Sequence, residues 1–161
     1  MSKLDLRQFN VKEADWEAEA SVLSDIRRLV FIIEQQVPKD EEWDGRDRDS
    51  WHFLATDEND KPIGTARLLP DGQIGRMAVL EKYRRRGIGQ VLLEHAVDKA
   101  RNLGMQEVFL HAQIHALPFY EKAGFESNGN EFEEAGITHR KMIMQLPPLD
   151  DNVRKGKLPQ Q

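Results

Sequence analysis

Cysteine is missing from all 161 residues. That excludes a disulfide framework, a cysteine nucleophile, an iron–sulfur cluster and any thiolate metal site. Long apolar runs are missing too. None approaches the ~18 residues that a membrane span needs. No leader-like segment stands ahead of the first strand-like stretch, so a soluble cytoplasmic protein with no membrane partner is expected. Nor is there an excess of basic charge: Lys+Arg number 23 against Asp+Glu 28, a formal net charge of -5. An acidic balance argues against nucleic acid as a general partner, while a local basic patch can still hold an anion. No internal repeat and no low-complexity block interrupts the chain.

What is present is enough for one core. Hydrophobic residues make up 39% and charged residues 32%. The length fits a single domain of roughly 100–200 residues, large enough to bury a core without metals or disulfides. The expected division is one domain over residues 1–147 and a flexible tail over 148–161, where proline and charge occur without periodicity.

Leu4, Leu6 and Phe9 mark a short first strand. Val22, Ile26, Leu29 and Ile33 recur at spacings of four, three and four, which is one face of a helix. Asp15 is a suitable N-cap, and Pro38 ends the pattern. Asp40 to Asp49, dense in charge and carrying Gly45, reads as an exposed, solvated loop. Trp51, Phe53 and Ala55 alternate with other residues as a strand, and Asn59-Asp60 turns the chain. Ile63 to Leu69 follows, then the tight turn Pro70-Asp71-Gly72, then Ile74 to Leu80. Strands joined by short turns imply an antiparallel meander.

Past Gly89 the period changes. Ile88, Val91, Leu92, Ala96, Ala100 and Leu103 share a helix face, and Gly104 is a fitting stop. Val108, Leu110 and Ala112 alternate as a strand, so the order strand–helix–strand predicts a parallel crossover. His115 to Ala123 reads as a short helix closed by Gly124, Asn128-Gly129 as a turn, and Met142, Met144 and Leu146 as a last strand. The fold class is therefore α+β: a mixed, mostly antiparallel sheet with helices on both faces.

Chemistry concentrates in Arg84-Arg85-Arg86-Gly87-Ile88-Gly89, between a strand and a helix of roughly four turns. The first turn of a helix leaves N–H groups unpaired, and its dipole favours negative charge. Glycines let backbone approach a phosphate closely, and arginines add fork-shaped donors. A P-loop would need Gly-Lys-Ser/Thr at this place, where Ile88-Gly89-Gln90 stands. A dinucleotide fingerprint would need a small residue at Leu92. Both common phosphate motifs fail on their own terms.

Arg84-x-x-Gly87-x-Gly89 after Met77-Ala78-Val79 resembles motif A of the GNAT superfamily of acyl-CoA N-acyltransferases. The run from Gln113 to Phe125, with Ala116, Phe119-Tyr120 and Gly124-Phe125, resembles that family's motif B, except that Gln113 stands where Asn is usual. Val30 to Pro38 with Trp43-Asp44 is similar to the N-terminal segment of ElaA-like GNAT proteins. The resemblance implies a central pair of parallel strands that splay apart. It also implies acetyl-CoA as acyl donor and a small-molecule or protein amine as acceptor, and it leaves room for a homodimer. The amine would attack the thioester directly in a ternary complex; the lack of cysteine independently excludes a cysteinyl acyl-enzyme.

By the same resemblance, the backbone from Arg85 through Arg86, Gly87, Ile88 and Gly89 to Gln90 cradles the pyrophosphate of coenzyme A, with Arg84 opening the motif. Met77, Ala78 and Val79 pair with the pantetheine arm like an added strand, beside Gln113. An N–H near Val79 would steady the oxyanion. Tyr120 is the general acid, since a phenol with pKa ≈ 10 stays protonated at neutral pH. The base is open among Glu34, Asp44, His52, His111, His115 and His139; Glu34 is the candidate if its apolar neighbours Ile32 and Ile33 bury it and raise its pKa, against the slightly favoured reading of it as a surface or helix-end carboxylate. His139 reads as a half-exposed strand histidine, and His52 and His111 as pointing away from their strands' apolar residues. No His pair has the spacing of a helical metal motif, so no metal is expected. Two rivals are a non-catalytic acyl-CoA sensor on this scaffold and a nucleic-acid binder using the arginines, the latter disfavoured by net charge.

Overall fold

The computed structural model describes residues 8–148. The expected strand positions Leu4 and Leu6, and all of the expected tail except Pro148, lie outside them. Strand β1 (Phe9–Ala14) leads to helix α1 (Trp16–Arg27), which widens into a π-helical segment, Arg28–Glu34. One further turn, α2 (Lys39–Glu42), precedes the meander β2 (Trp51–Asp57), β3 (Pro62–Leu68) and β4 (Ile74–Val79). Helix α3 (Ile88–Asn102) crosses to β5 (Glu107–Gln113), a short helix α4 (Leu117–Lys122) follows, and β6 (Glu126–Ser127), β7 (Phe132–Glu134) and β8 (Ile137–Gln145) complete the chain.

The strands form two antiparallel groups, β1-β2-β3-β4 and β5-β8-β6, with β7 on β8. They meet at one point, where Gln73 bridges Phe109 in parallel and the Phe109 N–H donates to the Gly72 carbonyl at 3.1 Å. Beyond that bridge β4 and β5 diverge. A bulge in β4 helps to part them. The β3–β4 register slips between Thr65 and Arg67, and Arg76 sits at φ 49. A non-glycine residue in the left-handed region costs on the order of 1–2 kcal/mol, so something must hold Arg76 there.

Helix α3 buries Ile88, Leu92, Leu93, Ala96, Val97 and Ala100 against one face of the sheets, together with Val108, Leu110 and Met142. The expected face is rotated slightly, since Leu103 is 44% exposed and Leu93 and Val97 are inside. Helix α1 and its π-helical continuation cover the other face with Leu23, Ile26 and Val30 over Leu54 and Ala78. Here the expected stripe fails more plainly: Leu29 and Ile33 are 42% and 56% exposed, while Arg27 is fully buried. Arg27 occupies the core-facing position that an apolar count assigns to a hydrophobe. From Arg28 onward the wider π turn rotates the face again, as shown by the Gln35 N–H reaching the Val30 carbonyl at 3.0 Å, five residues back. Asp15 holds the N-cap position, but its side chain makes no capping hydrogen bond.

Candidate active site

The turn after β4 takes the geometry an anion seat requires. Gly87 caps α3 at φ 86, a conformation that glycine adopts without a Cβ penalty. The first helical hydrogen bond runs from the Val91 N–H to the Gly87 carbonyl at 3.2 Å. The N–H groups of Ile88, Gly89 and Gln90 therefore stand ahead of it, and no side chain caps them. Ile88 is buried and anchors the helix start, while Arg85, Arg86 and Gly87 are exposed around it. The Arg86 guanidinium rests over the Tyr83 ring at 5.4 Å, and the Tyr83 hydroxyl donates to Asp57 at 3.1 Å.

Arg84 differs from its neighbours. Its Nε donates to the Val79 carbonyl at 2.8 Å, and its two terminal nitrogens grip both Glu34 oxygens at 2.7 and 2.6 Å. This fork ties the end of the π segment to the arginine–glycine turn. The expectation that Glu34 is buried with a raised pKa is thereby corrected. Glu34 is exposed, and the hydrogen bond from Arg84 holds its carboxyl below the usual range. Apolar neighbours in sequence did not bury it, because Ile33 itself faces solvent.

The Leu80 N–H donates to the Ile63 carbonyl at 2.9 Å, toward β3. Alternation along the strand then turns the N–H groups of Val79 and Met77 to the edge that faces the splay. Across the gap, Gln113 donates to the Gln35 side chain at 3.1 Å. The longer amide of Gln113 is thus spent on the π segment. Tyr120, on α4, packs edge-on to Phe119 and Phe125 at 5.0 and 6.1 Å, and its hydroxyl lies 3.8 Å from the Met77 sulfur. Burial pushes the Tyr120 phenol up to about 12, so it stays protonated through the neutral range.

Tyr120, Met77 and Gln113 open onto a cleft of about 780 Å³ that continues past the β4–β5 bridge between α2 and the β7–β8 hairpin. Its floor is an ionic cluster, and the loop expected to be solvated sends Glu42 and Asp47 into it as buried acids while the rest of the loop stays exposed. Arg27 donates to Glu42 and Asp47, both at 2.7 Å. Arg67 takes Asp44 at 2.9 and 2.8 Å and Asp47 at 3.0 Å. Arg76 reaches the carbonyls of Glu41 and Glu42 at 3.1 and 3.0 Å and Asp44 at 3.2 Å, which holds its unusual backbone.

The cluster sets its own protonation. Burial pushes Glu42 up despite its three arginines, whereas burial is outweighed at Asp47 by hydrogen bonds from Arg27 and Arg67, which lower it. At Asp44 burial is again opposed and outweighed by Arg67, so its carboxyl lies far below the usual range. Asp44 is thereby a fixed carboxylate of this cluster.

The histidines also part from expectation. His52 is 1% exposed, stacked on Trp16 at 4.7 Å, with Nε2 2.8 Å from the Asp47 carbonyl; burial lowers its pKa. His139 is 7% exposed and stacked on Phe132 at 5.9 Å, not half-exposed. β2 is buried along most of its length, so alternation there cannot tell inside from outside, whereas His139 is covered by the Phe132 ring. His111 and His115 line the cleft. Among the described residues no group of three or more His, Asp or Glu is placed to hold a metal ion, and no helix is long and apolar enough to cross a membrane.

A two-sheet fold split at one parallel pair, with a glycine turn at the head of the crossover helix, is the GNAT architecture. Residues 23–146 match the family described as "Acetyltransferase (GNAT) domain", and the chain belongs to that family and is an acyltransferase enzyme of it. It is 35% identical over 122 residues to the uncharacterized N-acetyltransferase YjcF of Bacillus subtilis, covering 73% of this chain and 86% of that one. It is 31% identical over 132 residues to the protein ElaA of Escherichia coli, covering 77% and 86%. The crystal structure of ElaA superposes with a TM-score of 0.75 at 28% identity, over 84% of this chain and 99% of that one. An acyl-CoA N-acyltransferase from Pseudomonas aeruginosa superposes with a TM-score of 0.74 at 28% identity and the same coverage. The expected likeness to ElaA therefore extends from one segment to most of the chain.

Proposed function

We propose that the protein transfers the acetyl group of acetyl-CoA to a primary amine by direct attack in a ternary complex. The observation that carries this reading is a hollow along the β4 edge, lined by Arg84, Val79, Met77 and Gln113, that shares Met77 and Gln113 with the cleft. The uncapped N–H groups of Ile88 to Gln90 lie at one end, the free β4 edge at Met77 and Val79 in the middle, and the cleft holding Tyr120 at the other end. A pyrophosphate fits the first, an extended amide-bearing arm adds to the second as a strand, and the thioester then reaches the third. Gln113 flanks the arm from β5.

In this reading the Val79 N–H polarises the thioester carbonyl and stabilises the oxyanion that forms on attack. Tyr120 donates toward the sulfur as the C–S bond breaks. Of the three motif arginines, Arg85 and Arg86 face the phosphates, whereas Arg84 holds the turn to Glu34 and supplies no free fork. Glu34, gripped on both oxygens, is a positioning residue in this arrangement. A crystal structure of a GNAT acetyltransferase from Elizabethkingia anophelis is described with acetyl-CoA bound, which is consistent with this donor.

The test is calorimetry with acetyl-CoA followed by thiol release with a panel of small primary amines. Binding together with amine-dependent release supports the transferase. Binding without release by any amine supports the non-catalytic sensor, and absence of binding overturns both.

A further inference from the structure

Of the clusters that the mechanism above leaves unused, one sits inside the cleft. His111, on β5, places Nδ1 3.0 Å from the Glu134 carboxylate of β7. Its ring is fixed edge-on to Phe132 at 5.0 Å and tilted against Phe109 at 6.1 Å. No other hydrogen bond reaches this ring among the described residues. Resting on the transferase reading, we propose that His111 accepts the proton that the acceptor amine must shed, with Glu134 as the positioning residue that fixes its tautomer and orientation.

Three features of the geometry support this assignment. First, counting forward from the Gln73–Phe109 bridge brings His111 level with Gly75, and Gln113 level with the bulge at Arg76 and Met77. His111 therefore stands one strand step beyond the residue that flanks the arm, roughly 7 Å along β5, on the acceptor side of the thioester. Second, Gly75 leaves room opposite it: a Cβ built there would meet nothing within 4 Å. Third, a carboxylate on Nδ1 selects the Nδ1–H tautomer and leaves the Nε2 lone pair for a substrate. The hydrogen bond from His111 also holds the Glu134 carboxyl below the usual range, so it remains the ionised partner.

The step balances as follows. The ammonium R–NH3+ gives one proton to Nε2, and the freed lone pair forms the C–N bond at the thioester carbon. The C–S bond then breaks with its electrons on sulfur, which takes a proton from the Tyr120 hydroxyl, and the nitrogen's second surplus proton passes through solvent to restore that phenol. The imidazolium returns its proton to solvent. The surroundings favour an acceptor that arrives as a cation. Asp40 and Glu41 face the cleft from α2 and Glu133 and Glu134 from β7, while the Glu42 and Asp44 charges are taken up by arginines. Cationic neighbours are Arg76 on β4, Lys141 beside His111 on β8, and His139 and His115 when protonated. Lys141 itself lies over the Phe109 ring at 4.8 Å.

The experiment uses the full chain with 15N-labelled histidine and, as acceptors, propylamine and 1,3-diaminopropane. Imidazole 15N shifts recorded from pH 5 to 9 should show His111 as the Nδ1–H tautomer when neutral. Glu134→Gln should mix the tautomers. His111→Gln should cut kcat about 10²–10³-fold near pH 7, leave acetyl-CoA affinity within about twofold, and lose less at pH 9.5, where more amine arrives neutral. An Nε2–H tautomer, or a His111→Gln pH–rate profile parallel to that of the parent, overturns the assignment. Lack of turnover with every amine, despite acetyl-CoA binding, tells against the transferase reading instead; the tautomer and the effect of Glu134→Gln then decide whether the pair exists as described.

Discussion

The two ends of the cleft are built on opposite principles. The turn from Arg84 to Gln90 is local: seven consecutive residues, two glycines and a helix start supply the donors. The floor at the other end is not. Its six charged side chains come from α1, the α2 loop, β3 and β4, with partners up to 35 residues apart. The local element spends little of the core and offers backbone to a ligand. The dispersed one is buried, and it fixes the bulge that parts β4 from β5. The contrast predicts that lesions in the floor are felt first as stability, and lesions in the turn first as binding.

Arg27→Met should be the largest lesion. Removing one member of a buried ion cluster leaves Glu42 and Asp47 charged and poorly compensated, at a cost of about 3–5 kcal/mol. Thermal melts should fall by about 10 °C, while the fraction that remains folded binds acetyl-CoA normally. A stable variant with weakened binding would reverse the contrast.

Tyr120→Phe keeps the ring and its packing on Phe119 and Phe125. A phenol pushed up to about 12 is a reliable donor but a reluctant acid, so kcat should fall about 10²-fold, the low end for general acid catalysis, with little change in KM for acetyl-CoA. Near-normal kcat across pH 6–9, with chemistry rate-limiting, would reduce Tyr120 to a packing residue. At the turn, a Cβ on Gly87 meets no atom within 4 Å. Gly87→Val is therefore charged only for its backbone, about 1–2 kcal/mol. The helix start should distort and acetyl-CoA should bind about tenfold more weakly, in a protein that still melts cooperatively. Unchanged affinity would move the phosphate seat elsewhere.

The floor should also respond to acid. His52 has a lowered pKa in the folded state, so its contribution is present above the unfolded value near ~6.5 and is lost as pH falls through it. Asp44 and Asp47 are lowered too, and their contribution is lost below the unfolded value near ~3.9. Glu42 is raised and works the other way, costing stability as it ionises above ~4.3. Melting temperature should hold above pH 7, decline below ~6.5 and steepen below ~4. His52→Gln should flatten the first decline alone.

What was legible divides along the same line. Period and turn chemistry located β2 to β5, α3 and the short helix α4, because each is a local pattern. The arginine–glycine turn was legible for the same reason. The floor was not: Arg27 stands in the core-facing stripe of α1, and an apolar count passes over it. Asp47 and Glu42 look like any other acid in a charged loop until their arginines arrive from distant strands. The π segment has no apolar period to announce it, so a regular helical stripe runs through Leu29 and Ile33, which are exposed. His111 and Glu134 are 23 residues apart, and only the pairing of β8 with both β5 and β7 brings them together.

The Glu34–Arg84 pair lies between the two principles, local at Arg84 and long-range at Glu34, and should give the smallest effect. Both side chains keep about a third of their surface, 34% and 39%, and exposed pairs are worth about 0–1 kcal/mol. Glu34→Gln should leave the melting temperature within about 2 °C. The freed guanidinium still holds the Val79 carbonyl through Nε, so the β4 edge stays in place and acetyl-CoA affinity changes only a few-fold. Its charge then faces the phosphates without a competing carboxylate, so the change should be toward tighter binding. As a base Glu34 is poorly suited, because Arg84 stabilises its ionised form and lowers its proton affinity. The pH–rate profile of Glu34→Gln should therefore match that of the parent. Loss of rate at neutral pH with recovery at high pH would return the proton-accepting role to Glu34.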